Sequence, residues 1–309
     1  MNNILHLKYA VEIERTGSIT KAAENLYMGQ PNLSRAIREL EDSLGISIFM
    51  RSSKGVVPTE QGRVFLNYAR DILRQIEEME NLCSTAVDSR QRFDISVPRA
   101  SYVSYAFTGF LKEMDLRRDI SVNYRETNSM QAIKNVADGV NNIALVRYQT
   151  VHESFFLKYL KERRLQHEEI WEFENLALMS QAHPLAWQGD ISQTDLDEYT
   201  EIVHGDTAVP VLPAGDARMP ANPESKRRCI VIYERGSQFE LLSRLPTTYM
   251  WVSPIPADVL ECFDLVEKKC PVPDNSYKDV LICREGYQLN RNEILFLEKL
   301  RDTVEMVRV

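Results

Sequence analysis

The sequence predicts an α/β chain with a small helical head, and three observations predict it. Residues 17–45, GSITKAAENLYMGQPNLSRAIRELEDSLG, carry two short helical patterns back to back, with a candidate hairpin after them. A heptad-spaced apolar stripe runs from Phe65 to Ala86. From Phe93 onward short apolar strands alternate with helical stretches of about ten residues, which points to βαβ units and a parallel sheet.

In the head, Leu5 to Arg15 reads as a first helix, with Leu7, Ala10, Val11 and Glu14 dividing its faces. Thr16-Gly17 breaks it, because Gly readily takes φ > 0 after a helix. Ser18 caps a second helix from Ile19 to Leu26, whose Ala22-Ala23 pair lets a neighbour approach closely. Tyr27-Met28-Gly29 makes the turn, Pro31 suits the first turn of a third helix, and Gly45 stops that helix. Leu33, Ile37, Leu40 and Leu44 recur at helical spacing as its buried stripe, which leaves Asn32, Ser34, Arg35 and Arg38 on other faces. Helix, tight turn, then a helix with a polar N-terminal end is the helix-turn-helix arrangement. Ile46, Ile48 and Met50 next alternate with Ser47, Phe49 and Arg51, a turn comes at Ser52-Ser53-Lys54-Gly55, and Val56-Val57 returns. This hairpin is a candidate wing with Arg51 and Lys54 at its tip.

Thr59 can cap the next helix. Phe65, Ala69, Ile72, Ile76, Met79, Cys83 and Ala86 then alternate spacings of four and three, an a/d seam flanked by charges, which predicts pairing with a second copy. The α/β body begins with strands at 93–97, 120–125 and 143–147, with helices at 103–114 and 129–137 between them. Strands at 176–180, 202–204, 230–233 and 249–252, a helix at 238–244, and a closing strand and helix at 278–283 and 291–306 complete it. The stretch 205–225 is a long Pro/Ala/Gly-rich loop, mobile or a lid.

At 309 residues and 44% hydrophobic composition the chain has room for two or three domains with real cores. The net charge of −8 is unevenly placed: residues 1–92 hold 12 basic and 12 acidic side chains, so the whole surplus lies in 93–309. A neutral front is compatible with nucleic-acid binding if its arginines gather on one face. No apolar run of about 18 residues is present to span a membrane, and the N-terminus is charged too early for a signal peptide. Five cysteines without a CxxC pair suit a reducing compartment, so the expected location is cytoplasmic.

The run AAENLYMGQPNLSRAIRELEDSLGISIFMR, followed by PTEQG, resembles the winged helix-turn-helix of LysR-type transcriptional regulators. The resemblance is close over residues 1–90 and looser over 93–309, where it rests on strand and helix order, on HPLA at His183 to Ala186, and on the closing strand and helix. It implies a DNA-binding head at 1–58, a dimerising linker helix at 59–92, and an effector domain at 93–309 like a periplasmic binding protein. The two α/β subdomains would be 93–167 with 275–309, and 168–274, joined by crossovers near Glu168–Phe173 and Cys270–Lys278, with a small molecule bound between them. Assembly as a homotetramer on promoter DNA is implied as well. Three positions depart from the family pattern: Gly29 where Ser is frequent, Asn32 beside Gln-Pro, and LLSRLPTTYMWVSPIP at 241–256 in place of a Gly-rich turn.

Gln30 at the start of the third helix can read an adenine edge and Pro31 can touch a thymine methyl. Asn32 bears on base preference, and Ser34 and Arg35 reach bases or phosphates. Arg38, Arg51 and Lys54 would hold phosphates and set the register. In the body, ligands of open α/β folds sit at strand carboxyl ends beside helix N-termini. That rule selects Arg99 and Ser101 after the first strand, Thr127, Asn128 and Ser129 after the second, Arg147 on the third, and His204 in the other half. Each also has a plainer reading as a cap, an ion-pair partner or a core histidine. If Arg99 and Arg147 both face the cleft, a carboxylate effector is attractive. No cofactor or metal is expected.

Two alternatives stand beside a regulator that answers to a small molecule. One is a ligand-independent or redox-responsive regulator using Cys262 and Cys270, the latter preceded by Lys268 and Lys269. The other is an enzyme with a DNA-binding head. No P-loop, GxGxxG after a strand, GxSxG or HExxH is present, so an enzyme is not the expectation.

Overall fold

The computed structural model describes residues 4–52, 55–83, 91–205, 228–233 and 235–308. It separates into two compact units, Met1–Ser89 and Arg90–Val309. Lys54, Ala86 and positions 206–225 of the long loop lie outside the described residues, as do the side chains of Arg51 and Cys83.

The first unit runs α1 (Ile4–Thr16), α2 (Ile19–Asn25), α3 (Gln30–Leu44), a hairpin of β1 (Phe49–Ser52) and β2 (Gly55–Pro58), and α4 (Glu60–Cys83). Leu7, Ala10 and Ile13 of α1 bury against Ala22, Ala23, Leu33, Ile37 and Leu40. Gly17 takes φ +63° between the first two helices. Its carbonyl accepts from the Val56 N–H at 2.9 Å, which ties the hairpin to that turn. A Cβ on Gly55 would lie 2.6 Å from the same carbonyl oxygen, so only glycine allows this approach.

Two details differ from the periodic expectation. Leu44 is exposed, because the chain turns at Gly45 (φ +68°) and Ile46 and Ile48 take over the packing against the head core. Met50 is exposed as well: Ile48 and Phe49 both pack inward, which shifts the alternation before the hairpin is fully formed. Glu41 supplies what the irregular approach needs, its Oε1 accepting from the backbone N–H groups of Ile48 at 2.6 Å and Phe49 at 3.1 Å.

The start of α4 rests on Thr59 and Gly62. Thr59 donates its hydroxyl to the Ser47 carbonyl at 2.6 Å and accepts from the Gly62 N–H at 2.9 Å, so it caps the helix and pins it to the hairpin. The predicted a/d seam is divided between two tasks. Phe65 packs on the head core and Ala69 is buried, whereas Val64, Tyr68, Ile72 and Met79 are exposed. Ile72 and Met79 of the predicted seam are thus open, while in the first turns Phe65 and Ala69 cover their own domain and Val64 and Tyr68 take the open face instead.

The second unit holds two five-stranded sheets. The first sheet uses β3 (Gln91–Val97), β4 (Ile120–Glu126), β5 (Ile143–Gln149), β6 (Leu165–Glu174) and β12 (Ser276–Arg284), in the order β4-β3-β5-β12-β6. The second uses β7 (Leu176–Ser180), β8 (Thr200–His204), β9 (Cys229–Ile232), β10 (Thr248–Val252) and β11 (Leu265–Lys268), in the order β11-β7-β10-β8-β9. The chain passes from first sheet to second at Asn175 and returns after Lys268. Both sheets are mixed, not wholly parallel. β3 runs parallel to β4 and β5, and β8 to β9 and β10; β12, β7 and β11 pair antiparallel.

The central strands of the first sheet are buried on both faces, successive residues facing opposite sides. Ile95, Ile143, Leu145 and Leu281 pack with α5 (Ser101–Glu113) and α11 (Arg291–Val307) through Phe93, Phe110 and Phe296. Ala144, Val146, Val280 and Ile282 pack on the other side with α6 (Ser129–Ala137) and α7 (Glu153–Glu162). The second sheet carries α8 (Gln193–Leu196), α9 (Gln238–Arg244) and α10 (Ala257–Cys262). His183 of the HPLA turn is buried, and its Nδ1 accepts from the Leu185 N–H at 3.0 Å. No helix among the described residues is long and apolar enough to cross a membrane.

Glu267 on β11 gives the second unit a pH dependence. Its Oε1 accepts from the Ile255 N–H at 2.8 Å, and burial pushes the carboxyl up to about 8 from the ordinary 4.5. A folded-state pKa above the unfolded value means that the native state holds the proton longer. Its share of stability is therefore complete below the unfolded pKa and is lost as pH rises through the folded one. Between about pH 5 and about pH 8, Glu267→Gln is expected to flatten the fall in urea unfolding free energy by about 2–4 kcal/mol. Equal slopes for the two proteins would refute this assignment.

Candidate nucleic-acid interface and ligand cleft

On α3 the buried side chains are Leu33, Ile37 and Leu40, while Gln30, Pro31, Asn32, Arg35 and Arg38 are exposed and Ser34 is half-buried. Gly29 is the N-cap and offers no side chain, so the first amide groups of α3 have no intramolecular side-chain cap. Gln30 donates from Nε2 to the Ser34 Oγ at 3.0 Å, which lays its amide along the first turn. The adjoining Tyr27 is 98% exposed at φ +53°, so the turn presents an aromatic ring beside the same helix end. This surface can dock in a groove: a helix end without a side-chain cap, a bidentate side-chain amide, and two arginines on one side of a rigid core.

In the second unit the loops after β3 and β4 are joined by the Thr127 N–H donating to the Val97 carbonyl at 2.9 Å. Asn128 caps α6 by accepting from the Gln131 N–H at 2.9 Å. Ser101 opens α5 and Arg99 lies just before it, its Nη2 donating to the Tyr233 carbonyl of the second lobe at 3.4 Å. His204, at the end of β8, lies 3.2 Å from the Gln238 Oε1 through its Nε2. Arg99, Ser101, Thr127 and Asn128 thus collect at one end of the first sheet.

Arg147 does a different job. Its Nε and Nη2 donate to Asp279 at 2.8 and 2.6 Å, Asp279 is fully buried, and the guanidinium lies 4.7 Å over the Phe173 ring. Tyr102 also donates to Asp279, and burial together with that carboxylate pushes the Tyr102 hydroxyl well up. The positive charge of Arg147 is matched inside the first lobe, so Arg99 and Arg147 do not form a carboxylate clamp.

Residues that the sequence did not single out bridge the two lobes. Arg235, just before α9, donates to Glu126 at the end of β4, to the Ser101 Oγ at 2.9 Å and to the Ser104 Oγ at 3.3 Å. The Asp258 carboxylate of α10, hydrogen-bonded to Tyr105 of α5, pushes the Tyr105 hydroxyl up. Ser101 and Ser104 share a helical face by their i,i+3 spacing, a signal readable in advance. Nothing local marks Arg235. Of the cysteines, Cys262 is exposed, while Cys270 is buried in the second lobe's core, and that burial pushes its thiol up, away from the reactive thiolate.

A winged helix-turn-helix with a polar face on α3, followed by a two-lobed α/β unit, defines the class of protein. Residues 4–63 match the family model "Bacterial regulatory helix-turn-helix protein, lysR family", so the head is a helix-turn-helix domain of the LysR type. It is 42% identical over 78 residues to the nitrogen assimilation regulatory protein nac of Klebsiella aerogenes, covering 25% of this chain and 26% of that protein. It is 25% identical over 223 residues to the Hca operon transcriptional activator HcaR of Escherichia coli, covering 71% and 72%. The match to nac thus spans about a quarter of that relative's length. In fold the chain is similar to full-length LysG from Corynebacterium glutamicum with bound effector Arg, at TM-score 0.63 and 16% identity over 99% of this chain and 100% of that one. It is likewise similar to ArgP from Mycobacterium tuberculosis, at TM-score 0.64 and 14% identity over 96% of each chain.

Proposed function

We propose that the protein is a DNA-binding transcriptional regulator that docks α3 in the major groove of promoter DNA and answers to a small molecule held between the two lobes of its α/β unit. The observation that carries the reading is the division of α3 into a buried Leu33/Ile37/Leu40 stripe and an exposed Gln30/Pro31/Asn32/Arg35/Arg38 face. In this reading Gln30, Pro31 and Asn32 meet base edges, Ser34 and Arg35 bases or phosphates, and Arg38, Arg51 and Lys54 phosphates. The exposed stripe of Val64, Tyr68, Ile72 and Met79 on α4 pairs with a second copy, and two dimers make the tetramer. Arg99, Ser101, Thr127, Asn128 and His204 line the effector cleft, and Arg147 braces it from behind.

Nuclease footprinting on DNA upstream of the protein's own gene, with Gln30→Ala and Arg35→Ala variants beside the parent, tests the first half. A protected site in two halves is expected. Gln30→Ala is expected to weaken it by about 10–100-fold, and Arg35→Ala to weaken it while lowering the salt slope by about 1. No sequence-specific protection on this or neighbouring promoters would refute the reading of the head.

A further inference from the structure

The cleft side of the first lobe presents hydrogen-bond acceptors at short range of one another. Glu126 ends β4, and Ser101 and Ser104 sit one above the other on the first turn of α5. All three accept from one guanidinium, that of Arg235, reaching across from the second lobe. Both partners of the Arg235–Glu126 pair are largely withdrawn from water, with side chains 16% and 20% exposed. Beside them the Tyr124 hydroxyl is buried and has no hydrogen-bond partner among the described residues. The charges of Glu126 and Arg235 both act on Tyr124.

Resting on the reading of this cleft as the effector site, we infer that Glu126, Ser101 and Ser104 form a seat for a small organic cation, a guanidinium or primary ammonium, and that Arg235 is its tethered occupant until the effector displaces it. The asymmetry of the two possible exchanges decides the charge of the ligand. An anion drawing Arg235 away would leave Glu126 ionised and unpaired at a mostly buried position, which is strongly unfavourable. A cation replacing Arg235 keeps Glu126 matched, and the released guanidinium returns to water on a long side chain with little penalty. The exchange also removes a link between the lobes, so occupancy of the seat and the relative freedom of the lobes are coupled through one side chain. Because the free protein already fills its own seat, the apparent affinity for an external cation is the intrinsic affinity multiplied by the fraction of time that the seat stands open.

Isothermal titration of the full chain with ethylguanidinium chloride, and with sodium butyrate at matched ionic strength, tests this. Arg235→Ala is expected to bind ethylguanidinium saturably and at least about tenfold more tightly than the parent. The double variant Arg235→Ala/Glu126→Gln is expected to lose that binding, and butyrate to give no saturable heat. Arg235→Lys, which keeps a charge on the seat, is expected to fall between parent and alanine variant, and it serves where the alanine variant does not fold. Absence of saturable ethylguanidinium binding in both Arg235 variants, or equal binding with and without Glu126, would overturn the seat. Butyrate binding to the parent that disappears in Arg235→Ala would also overturn it, while leaving the cleft reading intact. Tight ethylguanidinium binding that depends on Glu126, with a promoter footprint indifferent to the ligand, would uphold the seat and remove the regulatory reading instead.

Discussion

Replacing Asp279 with alanine is expected to cost about 3–5 kcal/mol of the stability of the α/β unit, the range for breaking a buried pair on one side only. The carboxylate is fully buried on β12 and accepts from Arg147 at 2.8 and 2.6 Å and from Tyr102. Without it the Arg147 guanidinium remains charged against Phe173, 16% exposed, with no anion to meet it. The buried Tyr102 hydroxyl loses its acceptor as well. The pair as a whole is a different matter. Replacing both Arg147 and Asp279 by apolar residues of similar volume removes both desolvation penalties and is expected to be far milder than the single change. Urea unfolding followed by tryptophan fluorescence reads this directly, because Trp171 lies 5.1 Å from Tyr102 by ring centroids. A single variant no worse than the double would show that Asp279 does not hold Arg147 in the folded state.

Gly62→Ala is expected to disrupt the head, although alanine is favoured over glycine in a helix by about 1 kcal/mol. A Cβ at Gly62 would lie 1.9 Å from the Ile48 carbonyl oxygen and 2.7 Å from its carbonyl carbon. Both are backbone atoms of the segment that Thr59 and Glu41 hold in place. Either α4 moves off the hairpin or the hairpin moves off the core. A cost of about 3 kcal/mol, or roughly 10–20 °C in the melting transition of a unit this small, is expected, together with loss of DNA protection. Gly109, inside α5, is the matched control. Its Cβ would meet only the Lys299 Cδ at 3.9 Å, so Gly109→Ala is expected to be neutral or stabilising by up to about 1 kcal/mol. Calorimetry on both variants decides it, and a head transition unmoved by Gly62→Ala would contradict the packing described.

These two glycines show why part of the molecule was legible in advance and part was not. Periodicity reports which face of an element avoids water, so α3, its buried stripe and its polar face were readable, as were the apolar strands β3, β5, β7 and β10. Cap chemistry is equally local: Ser18, Gly45 and Thr59 announce helix ends by their own bonding and φ preferences. β6, LQHEEIWEFE, was placed only through the family resemblance, as the crossover near Glu168–Phe173, because it is an edge strand whose four glutamates are all exposed, so its own alternation is diluted by charge. The helix α7 before it buries only Phe156 and Leu160, too short a stripe to stand out. The heptad stripe of α4 was visible, yet its division between the head core and an open face depended on where Thr59 and Gly62 anchor the helix.

By itself, then, the sequence determined the kind of protein this is: a winged helix-turn-helix head, a long helix and an α/β body, with Gln30, Asn32, Arg35 and Arg38 on the outer face of α3. Those features arise from short-range sterics, helical and strand periods, and the insolubility of apolar side chains, all of which act within a few residues along the chain. Only the tertiary structure decided which charges meet. Arg147 and Asp279 are 132 residues apart, and Arg235 and Glu126 are 109 apart. Any arginine is attracted to any carboxylate, so no local pattern selects the partner. The fold does, by bringing one pair into a dry interior and the other to facing walls of a cleft.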